Sequence, residues 1–195
     1  IATGCAIGFL KEIVNRDFVG IAARDEEKMM IGNRTLKFMF VPNLHWPDTM
    51  YTFIEEEQIL VTCDSFGSHY CLPEVVSTEI RCEEDYQKAL KYYYDCIIGP
   101  FKPFMLKALD RVEKMDISMV CTGHGPVLVG DRIKAVMRQY REWSTVVNPN
   151  PGKTVIIPYV SAYGYTKVLA EKIAEGVRDS GDIDVRSYDM VEADP

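Results

Sequence analysis

The stretch Asn148-Pro149-Asn150-Pro151-Gly152 places two prolines and a glycine in five consecutive residues. Proline has no N–H to give a ladder and holds φ near one value, so neither a helix nor a central strand continues through such a run. The 195-residue chain is therefore expected to form two units, residues 1–147 and 153–195, with residues 148–152 as the linker. After the break, residues 154–160 are β-branched and nearly continuous in apolar character, the mark of a parallel strand buried on both faces. A loop containing Gly164 follows, then helical apolar spacing at Val168, Leu169, Ile173 and Val177, then a second strand over 183–188. Strand, tight loop, helix and strand are the opening βαβ unit of a doubly wound sheet.

The first unit reads differently. Apolar runs at 36–41, 50–54 and 58–63 predict strands, the last two forming a hairpin about the acidic turn Glu55, Glu56, Glu57, which is expected to be solvated. Helical spacing over 83–98 is expected to stop at Gly99-Pro100, and a second helix to run over 103–114. Within the first of these, Tyr92-Tyr93-Tyr94 is expected to show one tyrosine to solvent and pack two. Residues 117–121 predict a short strand, 122–129 a loop, and Asp131 the cap of a helix reaching Trp143.

Composition excludes several classes of function. Lys plus Arg is 22 against 29 for Asp plus Glu, and the resulting net charge of −7 repels polyphosphate backbones, so no nucleic acid is expected as a partner. The longest uncharged run, residues 117–130, contains His124 and falls short of the roughly 20 apolar residues of a membrane span. The six cysteines form no C-x-x-C pair, and no export signal is visible at the start of the sequence. They are expected to be reduced, buried small hydrophobes in a cytoplasmic protein.

Three side chains able to bind a metal lie at or just past the ends of different short strands: His45, Asp64 and His124. Loops at one strand edge can converge on a point, and a His and carboxylate set without thiolate suits iron, zinc or manganese. The alternative is that these are ordinary surface or hydrogen-bonding residues. The loop Ser161-Ala162-Tyr163-Gly164-Tyr165-Thr166 joins a strand to a helix N-terminus, where free N–H groups and the helix dipole favour a phosphate. With no G-x-G-x-x-G or Walker pattern present, an ordinary turn capped by Thr166 fits it as well.

Five segments in register over residues 36–180 resemble one family: Leu44-His45-Trp46-Pro47-Asp48-Thr49-Met50, Asp64-Ser65-Phe66-Gly67-Ser68-His69, Gly99-Pro100-Phe101-Lys102-Pro103, Thr122-Gly123-His124-Gly125-Pro126, and the 161–166 loop. The family is the flavodiiron proteins, or A-type flavoproteins. The resemblance implies an α+β metallo-β-lactamase-like sandwich, here incomplete, followed by the start of an α/β flavodoxin-like doubly wound sheet. It implies two iron ions in a non-haem diiron centre and FMN as cofactors, and reduction of dioxygen to water or of nitric oxide to nitrous oxide. His45 would be a terminal ligand of one iron, Asp64 the bridging carboxylate and His124 a terminal ligand of the other; His69 would stand behind them. Ser161, Ala162, Tyr163, Gly164, Tyr165 and Thr166 would hold the FMN phosphate. Trp46 would either line the flavin approach or wall off core.

The resemblance further implies a head-to-tail homodimer and an electron donor such as rubredoxin or a reduced deazaflavin coenzyme. The family's other ligands come from an H-x-E-x-D-H-type pattern upstream, and none occurs before His45. Since the chain also begins at Ile1, it is expected to be a fragment, inactive alone. Two alternatives stand beside this reading: a zinc hydrolase of the wider metallo-β-lactamase-like group, and a truncated product with no metal.

Overall fold

The structure, a computed structural model, describes residues 1–146 and 152–192, so the expected linker lies outside the described residues apart from Gly152. The chain divides into two compact units, Ile1–Val146 and Val147–Pro195. The first unit runs α1 (Gly4–Val14), β1 (Lys28–Ile31), β2 (Arg34–Phe40), β3 (Met50–Ile54), β4 (Ile59–Val61), α2 (Glu83–Tyr93), α3 (Lys102–Val112), β5 (Met119–Cys121), β6 (Leu128–Val129) and α4 (Asp131–Ser144). Its sheet has six strands in chain order, antiparallel except for the parallel pair β4–β5. A parallel neighbour requires a crossover, which α2 and α3 supply.

Alternation along the strands sends Met39, Tyr51, Phe53, Leu60, Val120 and Leu128 to one face, where they form a single core with Leu90, Tyr94, Met105, Leu109, Val136 and Tyr140 from the helices. The opposite face is apolar too, with Phe40, Met50, Ile54 and Ile59, yet these residues are only half-buried. The topology has a functional consequence. Two antiparallel steps from β2 through β3 to β4 restore the strand direction, and β5 runs parallel to β4, so the C-terminal ends of β2, β4 and β5 share one edge.

Several expectations need correction. Helix α1 was not read from the sequence, although Ala6, Phe9, Leu10 and Ile13 have helical spacing and the Thr3 hydroxyl caps the helix by accepting from Ala6 N at 3.1 Å. The helix expected to stop at Gly99-Pro100 instead widens into a π turn over Tyr94–Ile98 and passes through Gly99–Phe101 into α3. Pro100 sits at the start of its turn, where no N–H is needed, so it redirects the chain without ending it. Gly130, not Asp131, is the N-cap of α4, and Asp131 lies in its first turn. The supposed loop over 122–129 contains β6.

The acidic turn is tied down: Lys28 pairs with Glu55 at 2.7 Å, Arg34 pairs with Glu57, and Glu56 accepts from Thr35 N at 2.8 Å. All six cysteines are free, but five are exposed and Cys121 is intermediate, so the expectation of buried thiols fails. Tyr92 is exposed while Tyr93 and Tyr94 are packed, as expected.

The second unit is β7 (Thr154–Tyr159), α5 (Tyr165–Asp179) and β8 (Asp184–Asp189), with β7 and β8 paired in parallel from Thr154↔Asp184 to Tyr159↔Asp189. This is the expected βαβ unit. Its strands are not covered on both faces among the described residues: Ile156 is 62% exposed, and only Ala170 and Ala174 of α5 are buried. No helix among the described residues is long and apolar enough to cross a membrane.

Candidate metal centre and phosphate loop

His45 stands on the loop after β2. The loop is closed on itself: Val41 N donates to Thr49 O at 3.1 Å, Asn43 N to Trp46 O at 2.8 Å, and the Thr49 hydroxyl to the same Trp46 carbonyl at 2.8 Å. The Thr3 hydroxyl, donating to Asp48 O at 3.2 Å, fastens α1 to it. The imidazole packs beside Trp46 and Phe101, with ring centroids 5.5 and 6.4 Å away. Trp46 itself is 61% exposed, so it is not a core wall in this structure.

Asp64 follows β4 and His124 follows β5, and the parallel pairing of those strands continues into their loops. Thr62 N donates to Cys121 O at 3.0 Å, Gly123 N to Cys63 O, and Ser68 N to His124 O at 3.1 Å. The buried Thr62 hydroxyl closes the Asp64 turn by donating to Ser65 O at 2.9 Å, and the Thr122 hydroxyl donates to His124 O at 2.9 Å. The contact is close enough to exclude side chains. A Cβ at Gly67 would lie 3.1 Å from both Asp64 O and His124 O, and one at Gly123 would lie 3.0 Å from Cys63 O and 3.5 Å from Asp64 Oδ1.

These three loops bring His45, Asp64 and His124 together. Asp64 Oδ2 is 3.4 Å from His45 Nε2, and Asp64 Oδ1 is 3.4 Å from His124 Nε2. Each carboxylate oxygen thus faces a different imidazole. Two donors each about 2.1 Å from one ion, at an angle of about 110°, stand about 3.4 Å apart, so each pair has the separation of neighbouring ligands on one metal. Among the described residues no group of three His, Cys, Asp or Glu side chains is arranged to hold a metal ion by itself. His45, Asp64 and His124 form two pairs that share one carboxylate, an incomplete donor set whose chemistry is compatible with a bridged metal pair. Half of the His124 side chain, 49%, is open to solvent.

Beside His124 lie His69 and Tyr93, with ring centroids 5.3 and 5.8 Å from it. His69 makes an edge contact with Tyr93 at 4.9 Å and is not among the Asp64 partners, which are His45 and His124. Tyr93 is the residue sequence reading passed over. It is 2% exposed, and burial, then the Asp64 charge, raise its phenol above the ordinary range and keep it protonated. Periodicity with Tyr86 and Leu90 marked it as inward-facing. Nothing local marked it as facing a site.

In the second unit the 161–166 loop leads into α5. Gly164 is the N-cap, with φ of +84°, and a Cβ there would meet nothing within 4 Å, so conformation and not space selects glycine. Thr166, expected as the cap, is already inside the helix. The capping bond comes from Ser161, whose Oγ accepts from Lys167 N at 3.1 Å, leaving its own proton free to donate. The Tyr165 and Thr166 N–H groups have no acceptor among the described residues. Tyr163, Tyr165 and Thr166 are exposed. Free first-turn amides flanked by two hydroxyls fit a phosphate group.

A sheet whose parallel-running strands end in His, Asp and His loops, with helices on one face, has the architecture of the metallo-β-lactamase-like class. In agreement, the family model described as "ODP family beta lactamase" matches residues 4–125. The chain belongs to the flavodiiron, or A-type flavoprotein, family. It is 37% identical over 198 aligned positions to flavo-diiron protein FprA2 of Clostridium acetobutylicum, covering 100% of this chain and 49% of that protein. It is also 37% identical to diflavin flavoprotein A 1 of Synechocystis sp., covering 100% of this chain and 33% of that protein. Among solved structures, the flavodiiron protein from Giardia intestinalis superposes with a TM-score of 0.70 at 30% identity, covering 99% of this chain and 46% of that one. Rubredoxin oxygen:oxidoreductase from Desulfovibrio gigas gives a TM-score of 0.70 at 25% identity, covering 95% and 47%. The chain therefore spans a third to a half of the length of the curated relatives named here.

Proposed function

We propose that His45, Asp64 and His124 are this chain's ligands to a non-haem diiron centre, one histidine on each iron and Asp64 bridging, in an oxidoreductase that reduces dioxygen to water or nitric oxide to nitrous oxide. The observation that carries the reading is the sharing of one carboxylate between two imidazoles, each at 3.4 Å. Residues 1–147 are the metallo-β-lactamase-like part of this reading and residues 153–195 the beginning of an FMN-binding flavodoxin-like part, joined at 148–152. The Ser161–Thr166 loop holds the FMN phosphate through backbone amides and the Ser161 and Thr166 hydroxyls. Bound iron would supply open positions for the diatomic substrate and accept the electrons that FMN carries.

The protein's own residues set that chemistry up. Trp46 and Phe101 hold the His45 ring, and Tyr93 and His69 hold that of His124. The backbone contacts at Gly67 and Gly123 fix Asp64 between them. We further assign rubredoxin or a reduced deazaflavin coenzyme as electron donor; the Desulfovibrio gigas relative carries rubredoxin and oxygen in its name. A head-to-tail homodimer would bring one subunit's FMN to the other's irons. Six free thiols suit the reducing cytoplasm.

With no H-x-E-x-D-H pattern before His45, this chain supplies only part of the family's ligand set. The test is therefore made in two stages. Iron, zinc and FMN content of the purified protein comes first, with a cobalt(II) titration reporting the His and carboxylate donors. Consumption of dioxygen and of nitric oxide with reduced rubredoxin follows, in this chain and in the protein carrying the upstream ligands. Turnover confined to the latter is the expected result; zinc with hydrolytic turnover would replace this reading by the hydrolase.

A further inference from the structure

At the other end of the first unit lies a half-open groove that belongs to none of this machinery. This cavity of about 620 Å³ opens between the end of α3, the turn before β5 and the first half of α4. Gln58 and Ile117 line it, and these residues precede β4 and β5, whereas Asp64 and His124 follow them. The cavity thus lies at the sheet edge opposite the His45, Asp64 and His124 loops, and its volume is within the range of about 300–1,000 Å³ typical of small-molecule sites.

Its lining divides by polarity. The partly buried Met115 and Ile117 form its accessible apolar floor, backed by Val112, Ile133 and Met137 of the buried core. On the rim, Lys134 and Arg138 stand one helical turn apart on α4, and neither has a carboxylate partner among the described residues. Their neighbour Arg141 shows the contrast, since Asp110 at 2.9 Å and Glu113 at 2.8 Å already neutralise it. The facing acids are Glu113, engaged by Arg141, and Asp116, which has no cationic partner among the described residues. An apolar floor under two unpaired cations, with the one unengaged acid across the mouth, selects an apolar body that ends in a negative charge on the α4 side.

We propose that this groove binds a small amphipathic carboxylate, its alkyl or aryl part on Met115, Ile117 and the edge of Met137 and its carboxylate between Lys134 and Arg138. The site is independent of the metal-centre reading, because no lining residue is shared with that edge.

The test uses the full chain with decanoate as the probe and decanol as its uncharged counterpart, following the methyl resonances of Met115 and Met137 by NMR. Decanoate is expected to shift both methyls and to bind more tightly than decanol. Exposed ion pairs are worth little individually, so Lys134→Gln and Arg138→Gln should each weaken decanoate about 3-fold and together about tenfold, leaving decanol unchanged. Asp116→Asn should tighten it, and Lys134→Arg should restore wild-type binding. Equal affinity for decanol and decanoate, undiminished decanoate binding in the double variant, or no shift of either methionine below the micelle-forming concentration would each overturn the proposal.

Discussion

A Cβ placed on Gly125 would stand 2.5 Å from both the carbonyl oxygen and the hydroxyl of Ser68, so the loop carrying His124 and the loop carrying Asp64 touch main chain to main chain at this point. Gly125 also has φ of +84°, a conformation that side chains resist. Alanine there meets two penalties, left-handed strain of about 1–2 kcal/mol and displacement of Ser68. Gly32, in the turn between β1 and β2, is the internal control: its φ is +62°, but nothing lies within 4 Å of a Cβ. Gly125→Ala should lose more stability in urea denaturation than Gly32→Ala, and it alone should weaken cobalt(II) binding. Equal losses would mean that the loop contact is not what fixes the site.

The three donors were legible because each follows an apolar run that could be read as a strand. Their convergence was not, since it depends on β2, β4 and β5 pointing the same way, which pairing across the sheet decides and local pattern does not. Thr62 and Tyr93 escaped for the same reason: one is a strand-end hydroxyl and the other an inward helix residue, and only tertiary packing gives them partners. Helix α1 was missed despite a readable pattern, and Phe9 and Ile13 remain 46% and 71% exposed on it. The Asp131 cap failed because Gly130 supplies the turn by conformation, without a side-chain bond.

The phosphate loop separates into two kinds of effect. Ser161→Ala removes the acceptor for Lys167 N and should cost about 1 kcal/mol at the start of α5, visible without any flavin. Gly164→Val strains the cap, and Thr166→Ala removes a hydroxyl that caps nothing in the protein. Thr166→Ala should therefore weaken FMN binding, measured by flavin fluorescence, with little change in melting, while metal content stays as in wild type. Unaltered FMN affinity in both Thr166→Ala and Gly164→Val would leave the loop a purely structural turn.

Glu83 and Arg132 tie α2 to α4 through two contacts of 2.6 and 2.8 Å. The Arg132 guanidinium, chiefly by hydrogen bonding, holds the Glu83 carboxyl below its ordinary 4.5. A depressed carboxyl contributes stability that is present above 4.5 and lost as pH falls through the lower folded value. The Glu83 side chain is 53% exposed, so screening limits the contribution to about 1 kcal/mol or less. Glu83→Gln leaves Arg132 over the Tyr86 ring, 5.1 Å from its centroid, and so isolates the charge. The stability gap between wild type and this variant, followed by denaturant unfolding, should be widest near neutrality and close in acid. A gap that stays constant below 4.5 would assign the pair no role in acid stability.

Asp64 gives the sharpest test of the centre because the two donor pairs meet in it. Removing His45 leaves the Asp64 Oδ1 and His124 Nε2 pair, and removing His124 leaves the Oδ2 and His45 Nε2 pair. Removing Asp64 leaves two isolated imidazoles and no pair. Metal affinity falls steeply with the number of donors that act together, so in the protein carrying the upstream ligands Asp64→Ala should lose more bound iron than either His45→Ala or His124→Ala, and both metals together. Asp64→Asn keeps the shape but loses the negative charge, and should resemble Asp64→Ala in metal content while retaining wild-type melting of the apoprotein. FMN content should be unchanged in all four variants, since the 161–166 loop belongs to the other unit. Metal analysis and flavin absorbance on the same samples decide the matter. Iron loss that is no greater for Asp64→Ala than for the histidine variants would remove the bridging role, and iron unchanged in all of them would remove the centre itself from this edge of the sheet.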